Sequence, residues 1–134
     1  MEGIVVAIAY FAIALLVGTV IQRKRMRAFW KRSCTGRAWR KRFPNASKRE
    51  IREFLDLFVD AFGFATGRRL CFAPDDRVMD VYHALYPKPG VPDAMELEEL
   101  VLGFQHRYGL QITGLWREDI TLAELFIHSR PQLG

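Results

Sequence analysis

The stretch GIVVAIAYFAIALLVGTVI, residues 3–21, followed by RKRMRAFWKRSCTGRAWRKR, residues 23–42, decides how the chain is read. The first run carries no formal charge over nineteen residues, and the second carries ten Lys or Arg and no acid. At about 1.5 Å rise per residue, a helix over the first run reaches roughly 28 Å, close to the hydrocarbon thickness of a bilayer. A helix satisfies its own backbone hydrogen bonds, so the sequence predicts a transmembrane anchor over residues 1–22. A cleaved secretory signal has the reverse charge order, with cations ahead of the apolar run. Here Glu2 precedes it and Arg23, Lys24, Arg25 and Arg27 follow. Basic flanks stay on the cytoplasmic side, which predicts a single pass through the cell inner membrane, N-terminus outside and the rest cytoplasmic.

Charge is partitioned along the chain. Residues 22–49 hold twelve Lys or Arg and no acid, whereas residues 50–134 hold eight basic and fourteen acidic residues. With Glu2 these give the net +5, so the pI near 9.6 reflects the basic stretch and not the remainder. A whole-chain reading as a nucleic-acid binder is therefore disfavoured. The basic stretch also interleaves Phe29, Trp30, Trp39 and Phe43. Beside an anchor, residues 23–46 read as a basic-aromatic juxtamembrane linker. Its cations (Arg23, Lys24, Arg25, Arg27, Lys31 and Arg32) would meet anionic lipid head groups, and Trp30 and Trp39 would settle at the interface. Simple topology signalling is the plainer alternative, and stacking on nucleic-acid bases is the remaining one.

Beyond Pro44-Asn45 the composition becomes that of a small helical domain, residues 47–130, with a short tail at 131–134. Ser47-Lys-Arg-Glu50 is a capping box. Ile51, Phe54, Leu55, Phe58, Val59 and Phe62 follow at helical spacing, and Gly63 and Gly67 end that helix. Residues 63–92 read as a long loop with one turn near Val78–Tyr82. Asp93-Ala-Met-Glu96 opens a second helix with Leu97, Leu100, Val101, Phe104 and Tyr108 on its apolar stripe. Thr121-Leu-Ala-Glu124 opens a third, carrying Leu122, Leu125 and Phe126. The expected fold class is all-α, a transmembrane helix plus a bundle of three or four helices.

Little of this resembles an enzyme. His83, His106 and His128 fall in three different segments, without a neighbouring Ser or Cys motif. Cys34 and Cys71 have neither metal-ligand nor redox spacing. No catalytic residue, metal ligand or cofactor is expected.

The plan of capped helix, long loop, Asp-led acidic helix, short segment and Thr-capped last helix resembles acyl carrier proteins. Asp75-Asp-Arg-Val-Met-Asp80 is similar to the carrier loop ahead of the second helix. Asp93-Ala-Met-Glu-Leu-Glu-Glu-Leu-Val-Leu-Gly-Phe sits where carriers have Asp-Ser-Leu and an acidic helix. Arg107-Tyr-Gly-Leu-Gln-Ile and Asp119-Ile-Thr-Leu-Ala-Glu-Leu are similar to the closing segments. Carriers attach phosphopantetheine to the serine, and Ala94 stands in its place with no hydroxyl to take the phosphodiester. The resemblance thus implies a carrier fold without its prosthetic arm. It further implies that Asp93, Glu96, Glu98 and Glu99 form a surface docking a protein partner with a basic patch. Two alternatives stand beside this: a working carrier with an unconventional attachment site, and a single-pass protein acting through its anchor and basic segment. In the latter, Ala14 and Gly18 would let two helices pack closely.

Overall fold

The computed structural model describes residues 2–86 and 95–130, with backbone alone over 18–25. Its helices are α1 (Glu2–Trp30), α2 (Gly36–Arg42), α3 (Lys48–Ala61), α4 (Val78–Leu85), α5 (Met95–Tyr108) and α6 (Leu122–Ser129). Two 3-10 segments, Thr66–Cys71 and Ile112–Gly114, lie between them. No strand occurs among the described residues, only a single bridge between Arg77 and Thr121. The all-helical expectation holds.

The transmembrane helix does not. Among the described residues no helix is long and apolar enough to cross a membrane. The far end of α1 belongs to the folded domain instead, because Met26 and Phe29 are buried in its core.

The same core takes in α2, which the sequence reading placed in a linker. Trp39 is fully buried and Phe43 nearly so. Their i,i+4 spacing puts both on one face of α2, while Arg37, Arg40, Lys41 and Arg42 remain exposed. Trp39 packs 5.9 Å from Phe54 and 5.7 Å from Phe126, ring centre to ring centre. Its indole Nε1 donates to the Phe72 carbonyl at 2.8 Å. Phe72 in turn meets Phe29 at 5.7 Å, Phe58 at 5.1 Å and Phe64 at 5.6 Å. Aromatic side chains therefore join α1, α2, α3 and α6 through one continuous core. Each large apolar side chain so buried contributes about 1.5–3 kcal/mol.

Helix ends follow the capping residues. Ser47 Oγ accepts from Glu50 N at 3.1 Å and Thr121 Oγ1 from Glu124 N at 3.2 Å, so α3 and α6 begin where the sequence places them. Gly63 takes φ +73 and lets Phe64 N bond back to Val59 O at 2.8 Å, closing α3. The region read as a loop is more ordered than expected. The Thr66–Cys71 segment packs on α3, and α4 spans eight residues with Val78 and Val81 fully buried. Asp76 pins the approach to α4 by accepting from Ala73 N at 2.7 Å and pairing with Arg32 at 2.5 Å. Leu122 N donates to Asp76 O at 2.9 Å, which ties the start of α6 to that loop. Helix α5 lies against α3, where a Cβ on Gly103 would sit 3.4 Å from Leu57.

Candidate docking face

Helix α5 divides its residues by spacing. Leu100 and Phe104 are fully buried against the bundle, and the turn between Leu97 and Val101 faces an open groove. The groove encloses about 490 Å³ and is lined by Leu97, Glu98, Val101, Leu102, Thr113 and Trp116. Leu102 is 58 % exposed and Met95 60 %, large fractions for apolar side chains. Thr113 belongs to the Ile112–Gly114 segment, whose buried Ile112 anchors that wall. Trp116 follows on the chain and is half-buried.

The four acidic residues singled out from the sequence do not share one environment. Asp93 and Ala94 lie outside the described residues. Glu98 lines the groove, and Glu99 is exposed but is not among the residues that line it. Glu96 turns inward, its Oε1 accepting from the Tyr86 hydroxyl while its Oε2 is buried without a partner among the described residues. A carboxylate held in this way fixes the start of α5 to the end of α4 and is not a free rim charge. The groove therefore offers an apolar floor with Glu98 at its edge. Leu102, Thr113 and Trp116 had no place in the sequence reading. Leu97 and Val101 were assigned to the core by their i,i+4 spacing, although both are only partly buried.

The residues expected at a lipid interface are scattered. Arg27 and Lys31 are exposed. Arg32 is engaged with Asp76 and also sits 4.9 Å over the Phe29 ring. Trp30 is wedged edge-on against Phe64 and Phe72, with Arg68 stacked 4.7 Å over it. Trp39 is in the core and cannot reach a head group. The side chains of Arg23, Lys24 and Arg25 lie outside the described set. The earlier part of α1 faces outward with apolar side chains: ten large residues from Ile4 to Val17 are between 51 % and 71 % exposed.

His83, His106 and His128 are exposed on α4, α5 and α6 respectively. Cys34 is an exposed free thiol and Cys71 a half-buried one. No family model, curated protein or solved structure matches the chain.

Proposed function

We propose that this protein is a non-catalytic, carrier-like docking module that sits at a membrane face and captures a basic amphipathic helix of a protein partner. The observation that carries the reading is the groove beside α5, where an apolar floor of Leu97, Val101, Leu102 and Trp116 meets the carboxylate of Glu98, with Glu99 exposed one residue further along the helix. An amphipathic helix fills such a groove with side chains at i, i+3 and i+4. Lysines or arginines on its flank would then face the Glu98 carboxylate, with Glu99 adding to the acidic field of the helix, and such charges steer encounter and set register more than they add affinity. The helix order and the Thr121 cap of α6 support the carrier-like part of the reading. Membrane association is supported by the exposed apolar residues of α1, and it requires lipid contact only, not passage across a bilayer.

The test is site-specific photocrosslinking in cells, with the crosslinker at Leu102 and a control at the exposed Asp60 of α3. A Leu102-specific adduct with a basic, amphipathic segment of another protein is expected. In the Glu98→Lys/Glu99→Lys background the yield should fall about tenfold, as two reversed rim contacts imply. An adduct indifferent to those reversals, a partner segment that is acidic, or no adduct at Leu102 would overturn the reading.

A further inference from the structure

A second cavity, distinct from the groove beside α5, opens between α2, the first turns of α3 and the Thr66–Cys71 segment. It encloses about 320 Å³ and is lined by Arg37 and Arg40 of α2, Lys48 and Arg52 of α3, and a floor of Gly36, Ile51, Leu70 and Cys34. Four cations line it and no acid does.

The arrangement is sorted and not a by-product of a basic sequence. Helix α3 carries Glu50, Glu53 and Asp56 among its cations, and each is committed elsewhere. Glu50 pairs with Arg130 at 3.5 Å, Glu53 with Arg107 at 2.8 Å and Arg49 at 3.0 Å, and Asp56 with Arg69 at 3.0 Å. Arg37, Arg40, Lys48 and Arg52 have no acidic partner among the described residues. Within each helix they are like-charged neighbours at i,i+3 or i,i+4, a spacing that destabilises an isolated helix. The surrounding cations Arg32 and Arg42 find Asp76 and Asp75, so acids near this end of the bundle do pair where the fold brings them together. A concave site with four uncompensated cations over an apolar floor is complementary to a compact anion.

We infer that this cavity binds a phosphate group carried by a small ligand or a lipid head group. Guanidinium groups present paired N–H donors that match phosphate oxygens two at a time, and Lys48 adds a point charge. At about 320 Å³ the cavity lies at the small end of ligand pockets, near 300–1,000 Å³, so it takes a head group and not a polymer. The Ile51 and Leu70 floor suits the short carbon skeleton that bears the phosphate. The inference is independent of the docking reading, because it uses none of the residues of the α5 groove.

The experiment takes the full chain in neutral detergent micelles and titrates it with inorganic pyrophosphate by calorimetry. In parallel, binding to phosphatidylcholine vesicles is compared with binding to vesicles that also hold phosphatidic acid. Two double variants carry the same charge loss: Arg37→Gln/Arg52→Gln at the cavity and Arg77→Gln/Arg117→Gln away from it. One pyrophosphate per chain is expected, with affinity at least about tenfold weaker in the cavity variant and unchanged in the control. Pyrophosphate binding without a phosphatidic acid effect assigns the site to free phosphorylated compounds. A phosphatidic acid effect that only the cavity variant loses assigns it to a lipid head group. Equal losses in both variants, binding of a single-stranded oligonucleotide with the same dependence on Arg37 and Arg52, or no response in either arm would overturn the inference.

Discussion

Glu53 shows how much one residue couples in this small bundle. It accepts from Arg107 of α5 at 2.8 Å and from Arg49 of its own helix at 3.0 Å. The hydrogen bond from Arg107, then that from Arg49, holds its carboxyl below the usual value. A carboxyl lowered in the folded state adds stability above the unfolded carboxylate range, and that stability is lost as pH falls through the folded value. Tyr108 behaves in the opposite sense, since burial raises its phenol above the usual value. Its contribution is present below about pH 10 and is lost as pH rises past that point. Denaturant unfolding midpoints should therefore decline on the acid side between about pH 5 and pH 3. Glu53→Gln should flatten that acid limb, and Tyr108→Phe the alkaline one. An acid limb in Glu53→Gln parallel to that of the parent chain would remove the assignment. The Arg49–Glu53 part is an i,i+4 pair of one helix, but the link to Arg107 is not legible in the sequence, because Glu53 and Arg107 are far apart along the chain and each is one of many surface charges. Glu96 teaches the same lesson, since its acidic type suggested a rim and its contact with Tyr86 shows an anchor.

At the scale of elements, legibility followed local signals. The capping boxes at Ser47 and Thr121 and the stripe from Ile51 to Phe62 were unambiguous, because each is decided within one or two turns. Helix α4 and the Thr66–Cys71 segment were under-read, since Gly63, Gly67, Pro74, Pro87 and Pro89 around them read as breaks. The larger discrepancy is α2. A run of cations masks the pair Trp39 and Phe43, whose four-residue separation was the available sign of a buried face. A domain drawn from residue 47 onward lacks Met26, Phe29, Trp39 and Phe43, all of them core. It also leaves Phe54, Phe72 and Phe126 without the rings that cover them. Losing one large aromatic from a core typically costs 3–5 kcal/mol, against a total stability of about 5–15 kcal/mol for a domain. A fragment spanning residues 47–134 should accordingly show retained far-ultraviolet helicity with collapsed near-ultraviolet dichroism, whereas residues 23–134 should keep both. A well-dispersed amide spectrum from the shorter fragment would contradict this.

Over the whole molecule, the sharp partition of charge along the sequence becomes partial mixing in space. Arg32 and Arg42 from the basic stretch meet Asp76 and Asp75, while Arg130 returns to Glu50. Apart from Arg32–Asp76, whose carboxylate is largely buried, these are exposed or half-exposed pairs and individually weak. The apolar core, not charge, therefore holds the basic segment onto the acidic domain. What stays uncovered is the outer part of α1. Ile4, Val5, Val6, Ile8, Tyr10, Phe11, Ile13, Leu15, Leu16 and Val17 are all largely exposed, and at 100° per residue these positions fall on every side of the helix. A protein partner or a second copy would cover one face and leave the others in water. A lipid surface, the neighbour proposed above, would take up part of this apolar surface by contact alone. The consequence is testable by flotation with neutral phosphatidylcholine vesicles, where surface charge plays no part. The full chain should float, and should still float in 1 M salt, since apolar burial is not screened over a Debye length of about 3 Å. A chain lacking residues 2–17 should keep its near-ultraviolet dichroism, because Met26 and Phe29 remain, yet stay at the bottom of the gradient. Flotation of the shortened chain would place the lipid contact elsewhere, and a full chain that forms discrete oligomers without floating would replace lipid by a second copy.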